Sequence, residues 1–112
     1  MGLLPSLRQK KRYVVFELLA EQKFSFPIIK NEVQNALQRF LGYEGMAKAS
    51  PIILAERFNE QKQRFTMKVS NTSVDQVKAA LLFITSIQNT PIIIRSLITS
   101  GTLKKAALYL DK

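Results

Sequence analysis

The segment RFTMKVS, residues 64–70, alternates strictly between apolar and polar side chains. Phe65, Met67 and Val69 share one parity, and the residues between them are polar or charged. Because successive side chains of a strand point to opposite faces, the pattern predicts a strand with one face on a core. The other elements are assigned by their position before or after this strand.

Two further strands are expected before it. Residues 11–20, KRYVVFELLA, are rich in β-branched and aromatic side chains, apolar at every even position from Val14 to Ala20 and mixed at the odd positions. Residues 46–58, MAKASPIILAERF, predict a second strand that is interrupted at Pro51, which suits an edge strand or a bulge.

The segment IIIRSLITS, residues 92–100, predicts the fourth strand. Alternation places Ile98 and the other even-numbered isoleucines on one face and Arg95 on the opposite face. If the first and fourth strands are neighbours, Arg95 lies near Glu17, and a cross-strand ion pair is then the simplest use of this arginine.

Three helices are expected between and after these strands. Ser25 can begin the first, Gly42 can end it in a left-handed conformation, and the loop GYEG follows. Ser73 can begin the second, which stops at NTP, residues 89–91, and a short third helix starts at Thr102. The apolar stripes of the three helices are Ile29, Val33, Ala36, Leu37 and Phe40, then Val77, Ala80, Leu81, Ile84 and Ile87, then Leu103, Ala107 and Leu110.

The element order is therefore β-α-β-β-α-β with a short C-terminal helix. This order predicts an α+β protein of the ferredoxin-like or RRM-like sandwich type, with a four-stranded antiparallel sheet and helices on one face. At 112 residues the chain has the length of a single domain, so we expect residues 1–112 to form one unit, with residues 1–10 as a flexible basic arm.

The charge of the chain indicates its kind of partner. Seventeen Lys and Arg against eight Asp and Glu give a formal net charge of +9. Such an excess on a small domain is typical of proteins that bind polyanions, most often nucleic acid. No apolar run is long enough to cross a bilayer, and we expect no membrane association.

The residue types that are missing argue against catalysis by the polypeptide. The chain has no cysteine and no histidine, which excludes thiolate chemistry, the familiar zinc sites and Ser-His nucleophiles. Its eight carboxylates form no close pair along the sequence, so we expect no catalytic residue and no protein-bound metal. The absence of cysteine is compatible with a reducing cytoplasm, where we expect the protein.

Two motifs are candidates for binding a polyanion. The first, LRQKKRY, packs four cations directly before the first strand and meets the sheet at a tyrosine that could stack on a base. The alternative is a solvated basic terminus that only aids solubility. Its candidate residues are Arg8, Lys10, Lys11, Arg12 and Tyr13.

The second motif is the turn SGT with the two lysines that follow it, at the end of the strand that carries Arg95. Small residues permit a sharp turn, and the amides that open the last helix can bind a phosphate. Its candidate residues are Ser100, Gly101, Thr102, Lys104 and Lys105.

Three stretches in register across the chain resemble the ribonuclease P protein component 2 family of Archaea, and a small subunit of eukaryotic ribonuclease P and MRP is similar. They are PSLRQKKRYVVFEL at 5–18, FLGYEGMAKASP at 40–51 and RSLITSGTLKK at 95–105. The LRxKKRY and SGTxKK elements at opposite ends carry most of the resemblance.

The resemblance implies an RNA-binding, non-catalytic subunit of the enzyme that removes 5′ leaders from precursor tRNA. It implies that Arg95 contacts RNA together with the candidate residues of the two motifs. It implies that the RNA carries out cleavage with Mg²⁺ and that the protein supports it. It also implies pairing with a larger barrel-shaped ribonuclease P protein and self-association within a heterotetramer. Two alternatives remain: a ribosomal or other general RNA-binding protein, and a small enzyme such as an acyl phosphatase that uses Arg95 and the SGT turn.

Overall fold

The structure, a computed structural model, describes residues 10–112. Of the expected arm, residues 1–9, including Arg8, lie outside the described part. The elements are β1 (Lys11–Ala20), α1 (Phe26–Ala49), β2 (Ile52–Asn59), β3 (Arg64–Ser70), α2 (Val74–Leu82), β4 (Ser86–Ile87), β5 (Thr90–Ser100) and α3 (Leu103–Asp111), with a short 3-10 turn (Asn71–Ser73) before α2.

The strands form one antiparallel sheet in the order β2-β3-β1-β5-β4. The prediction of four strands is wrong, because β4 pairs with the start of β5 as a fifth strand. The turn between them is made by Gln88 and Asn89, both with positive φ, which is the backbone of a two-residue hairpin without the usual glycine. Ile84 and Ile87 are buried as expected, but they follow α2, which ends at Leu82.

Helices α1 and α2 cover one face of the sheet. One core joins the apolar stripes of α1 and α2 to Val14, Phe16 and Leu18 of β1 and to the apolar parity of β3. Phe40 was expected in the α1 stripe, but it is 45% exposed and lies outside this core. At its centre the rings of Phe16 and Phe65 stack with centroids 5.4 Å apart. The alternation of β3 is confirmed, since Phe65, Met67 and Val69 are fully buried in this core.

Helix α3 covers the opposite face. Val15 of β1 packs with Ala106 and Leu110 of α3 in a second, smaller cluster, joined by half-buried Tyr13 and Tyr109. The mixed face of β1 is therefore covered around Val15 by the chain's own last helix, whereas Leu19 at the end of the strand is exposed. This small cluster makes α3 part of the fold.

A bulge in β5 changes the face on which its last residues lie, so the predicted face of Ile98 is wrong. Phe16 pairs with Ser96 and Val15 pairs with Ile98, so Leu97 is an extra residue without a partner in β1. The bulge reverses the parity after Ser96, and Ile98 packs in the cluster beneath α3. Strict alternation had placed Ile98 with Ile94 on the other face.

Helix α1 is longer than expected. Gly42 has the left-handed φ of +70° that its predicted role requires, but a second helical segment follows it at once and continues to Ala49. The predicted loop GYEG is therefore helical after the kink, and β2 starts only after Pro51. The kink leaves Tyr43 almost fully exposed.

Replacing Gly42 by alanine should lower the free energy of unfolding by about 1–3 kcal/mol, because φ +70° with ψ −175° is a conformation open almost only to glycine. Urea unfolding measures the loss. Gly101→Ala is the matched control, since a Cβ there would meet Arg12 Nη1 at an ordinary 3.6 Å and Gly101 does not have positive φ. Equal losses in the two variants would contradict this account of the kink.

Candidate functional site

The start of β1 brings the two candidate motifs together. Lys11 pairs with Ser70 at the end of β3, and Tyr13 pairs with Ser100 at the end of β5. The SGT turn and the first residues of α3 follow directly from Ser100. We call this part of the molecule the basic end, and its cations are Lys10, Lys11, Arg12, Lys68, Lys104 and Lys105.

The side chains of β1 at the basic end are held by local contacts. Arg12 donates from Nη1 to the carbonyl of Lys11 at 3.2 Å, and its guanidinium lies against Gly101. Lys11 Nζ donates to Ser70 Oγ at 3.3 Å. A Cβ at position 101 would lie 3.6 Å from Arg12 Nη1, an ordinary contact distance, so the Arg12 guanidinium and the SGT turn are direct neighbours.

The SGT turn builds the start of α3. The amide of Thr102 donates to Ser100 Oγ at 3.1 Å, and the amide of Lys105 donates to Thr102 Oγ1 at 3.3 Å, which makes Thr102 the N-cap. Both hydroxyls are thus used within the turn. The amides of Leu103 and Lys104 have no acceptor within the helix, since they belong to its first turn.

The basic end has an uncompensated positive charge. Within residues 10–112, the only ion pairs join Glu17 to Arg64 and to Arg95. None of the six cations of the basic end takes part in them. Several free cations beside the start of a helix favour binding of an anion with more than one charge.

Arg95 lies away from this cluster. It is opposite Glu17 on β1, and its Nη2 is 2.7 Å from Glu17 Oε1. Along β5, Arg95 is five residues from Ser100, which is roughly 15 Å of strand. The expected cross-strand pair with Glu17 is present, and Arg95 does not share a site with the SGT turn.

Glu17 is the centre of a buried charge network. Its side chain is 8% exposed and accepts from Arg64 Nε at 2.9 Å as well as from Arg95. Burial opposes the ionised form, but the hydrogen bonds and charges of Arg64 and Arg95 outweigh burial and lower the pKa of Glu17. Glu17 therefore remains ionised beneath α3 and fixes the two arginines.

Tyr13 is less accessible than its candidate role suggests, and Lys68 joins the site although it was not among the candidates. Tyr13 is half-buried against the cluster beneath α3, which leaves only part of its ring open for stacking. Lys68, which is also half-buried, is directly opposite Tyr13 on β3 and was not a candidate. Its outward parity was visible in RFTMKVS, but the register that aligns it with Tyr13 is set by pairing between distant segments.

Residues 10–112 contain no group of three or more Asp or Glu side chains arranged to hold a metal ion. No helix in the same described range is long and apolar enough to cross a membrane.

The fold and the basic end define a small α+β protein with a cationic surface suited to a polyanion. The sequence profile of the Rpp14/Pop5 family matches residues 12–110. The chain belongs to this family.

Several archaeal relatives have the name ribonuclease P protein component 2. Those of Thermococcus kodakarensis and Pyrococcus furiosus are each 36% identical over 103 residues, which is 92% of this chain and 84% of the relative. That of Methanosarcina mazei is 36% identical over 104 residues, or 93% of this chain and 86% of the relative.

A solved structure supports the fold. A chain in the cryo-EM structure of yeast ribonuclease MRP superposes with a TM-score of 0.66 over 93% of this chain and 88% of the other, at 13% identity. At this level of identity the likeness concerns the architecture, which is the α+β sheet with its helices.

Proposed function

We propose that this protein is an RNA-binding, non-catalytic subunit of ribonuclease P that supports the catalytic RNA in removing the 5′ leader from precursor tRNA. The observation that carries the proposal is the basic end, where pairing of Tyr13 with Ser100 joins residues 10–13 of the first motif and the SGTxKK element into one cationic surface outside the ion pairs of residues 10–112. Family membership and the names of the archaeal relatives support it.

The physical role that we propose is electrostatic. Cations at the basic end replace counterions on the RNA backbone, and this release makes binding strong at low salt and weaker as salt increases. Folded catalytic RNA concentrates negative charge, so a cationic subunit lowers the amount of Mg²⁺ that the RNA needs. The Mg²⁺ of the cleavage step belongs, in this proposal, to the RNA, and the protein binds no cofactor.

The expected partners are ribonuclease P RNA, precursor tRNA and a larger barrel-shaped ribonuclease P protein, with self-association in a heterotetramer. Exposed apolar side chains on the helical face favour a protein partner, since the tilted rings of Phe40 and Phe83 pack with centroids 5.2 Å apart and both side chains are exposed. We also propose a cytoplasmic location and a single domain over residues 1–112, with residues 1–10 as an arm that reaches the RNA.

The fold is, in our proposal, of the ferredoxin-like type. Without the two-residue β4, the strand order β2-β3-β1-β5 matches the order of that fold, and α1 and α2 lie on one face. Helix α3 then occupies the face on which RRM domains stack bases, which is why the proposed RNA contacts lie at the end of the sheet.

The test is omission and add-back of this protein in a reconstituted precursor-tRNA cleavage assay. We expect cleavage at low Mg²⁺ to fall when the protein is left out and to return when it is added, and we expect high Mg²⁺ to replace it in part. Full activity without the protein at low Mg²⁺ would favour a general RNA-binding protein instead. Turnover of acyl phosphates by the protein alone, in nuclease-treated samples, would favour the enzyme alternative.

A further inference from the structure

The C-terminal end of α3 is held by side chains of another element. In the β2–β3 hairpin, Asn59 Nδ2 donates to the Leu110 carbonyl at 2.9 Å, and Lys62 Nζ donates to the Asp111 carbonyl at 2.6 Å. Arg64 Nη1 donates to the Tyr109 carbonyl at 3.0 Å and also bonds the carbonyl of Lys112. We call Asn59, Lys62 and Arg64 the hairpin clamp. The carbonyls that a helix leaves unpaired at its end are thus bound by the hairpin.

The opposite end of α3 has charges that are unfavourable for a helix. Lys104 and Lys105 lie in the first turn, at the positive end of the helix dipole. The first turn contains no acidic residue, and the last turn contains no basic one. The cations that would suit the last turn come from the hairpin instead, as Lys62 and Arg64.

The helix depends on this external support. Nine residues are too few for an isolated helix to be stable in water, so α3 forms because of its contacts with the sheet. Its buried contribution is small, since only Ala106 and Leu110 are fully buried. The hairpin clamp adds hydrogen bonds at the end of α3 to the apolar contacts that Ala106 and Leu110 make with the sheet.

We propose that the hairpin clamp positions Lys104 and Lys105 for RNA from the far end of α3. The inference rests on the proposed function, because the two lysines act only if the basic end binds RNA. RNA phosphates at the basic end would supply the anions that the first turn lacks. Binding at one end and the clamp at the other then stabilise the same helix, so each strengthens the other.

Asn59→Asp is the test variant, because Asn59 Oδ1 also accepts from the amide of Lys62 at 3.1 Å within the turn. Aspartate keeps that acceptor, cannot donate to Leu110, and puts a carboxylate beside Asp111, which Asn59 contacts at 2.9 Å. Gln61→Glu is the matched control, since it makes the same charge change at an exposed position of the same turn outside the clamp.

Affinity for ribonuclease P RNA is measured across a range of salt concentrations, in the wild-type protein and in the Lys104→Ala/Lys105→Ala background. We expect Asn59→Asp to weaken binding about fivefold and Gln61→Glu to leave it unchanged. In the double-alanine background, Asn59→Asp should have no further effect, because the residues it positions are gone. The salt dependence of RNA binding by the single variant Asn59→Asp should become closer to that of the double-alanine protein.

Hydrogen exchange of α3 amides in the free protein supplies a second readout. Asn59→Asp should speed exchange in α3 and leave β1 and α1 unchanged. Equal weakening of RNA binding in both backgrounds, or wild-type affinity despite faster exchange, would overturn this inference alone. Failure of the wild-type protein to bind, or normal binding by the double-alanine protein, would overturn the proposed role of the basic end and this inference with it.

Discussion

Replacing Lys10, Lys11 and Arg12 together by alanine should weaken binding to ribonuclease P RNA on the order of a hundredfold at about 0.15 M salt. Each cation that neutralises a phosphate releases counterions, and three such contacts account for a slope of about 2 to 3 in the plot of log affinity against log salt. The variant should therefore lose both affinity and salt dependence. Filter binding over a salt series measures both quantities.

The fold should survive this change. Lys10 is exposed, and Lys11 and Arg12 are only half-buried. The side chain of Lys11 donates to Ser70 and that of Arg12 donates to a neighbouring carbonyl, and alanine keeps the backbone hydrogen bonds of all three residues. A triple variant at Lys23, Lys30 and Lys78 removes the same charge away from the basic end and should bind almost normally. Equal weakening by the two triple variants would show that net charge, not the basic end, determines affinity.

Glu17→Gln should lower the free energy of unfolding by about 3 kcal/mol at neutral pH, because it leaves a nearly buried arginine without its counter-charge. Arg64 is 14% exposed and depends on the Glu17 carboxylate, whereas Arg95 is 59% exposed and water can solvate it in place of the carboxylate. Urea unfolding near pH 7 measures the effect. Glu44→Gln is the control, since Glu44 is exposed on the second segment of α1.

The difference between the wild-type protein and Glu17→Gln should also depend on pH. The pKa of Glu17 is lower in the folded state than in the unfolded chain. The contribution of ionised Glu17 to the free energy of unfolding is therefore complete above the pKa of about 4.3 that glutamate has in an unfolded chain. It is lost as pH falls through the lower pKa of Glu17 in the folded protein. Unfolding curves of the two proteins should converge in acid, and a constant difference down to pH 3 or so would contradict the assigned network.

The parts of the fold that follow from local pattern could be predicted. The alternation in β3 and the apolar stripe of α1 from Ile29 to Leu37 each depend on side-chain periodicity within one segment, and both are confirmed by burial. The last residue of that predicted stripe, Phe40, is exposed instead. The extra residue Leu97 and the hairpin at Gln88 and Asn89 could not be, because each is a backbone choice without its usual glycine or proline signal.

The candidate site could also be predicted only in part from the sequence. The two basic motifs are visible as runs of cations, but only the register of β1 with β5 shows that they adjoin. Register also explains why Lys68 was missed. The pair of Arg95 with Glu17 was expected for neighbouring first and fourth strands and is confirmed. Pairing between segments distant in the chain is set by packing of the whole sheet, which periodicity in one segment does not contain.

The pairing of Tyr13 with Ser100 also bears on biosynthesis. The ribosome makes the two halves of the basic end roughly 90 residues apart, and β1 lacks one of its two neighbouring strands until β5 has been made. A nascent chain therefore exposes the cations of its first motif without the turn and helix that complete the surface. The proposed RNA binding should therefore become selective only after β5 joins the sheet, when the protein has folded.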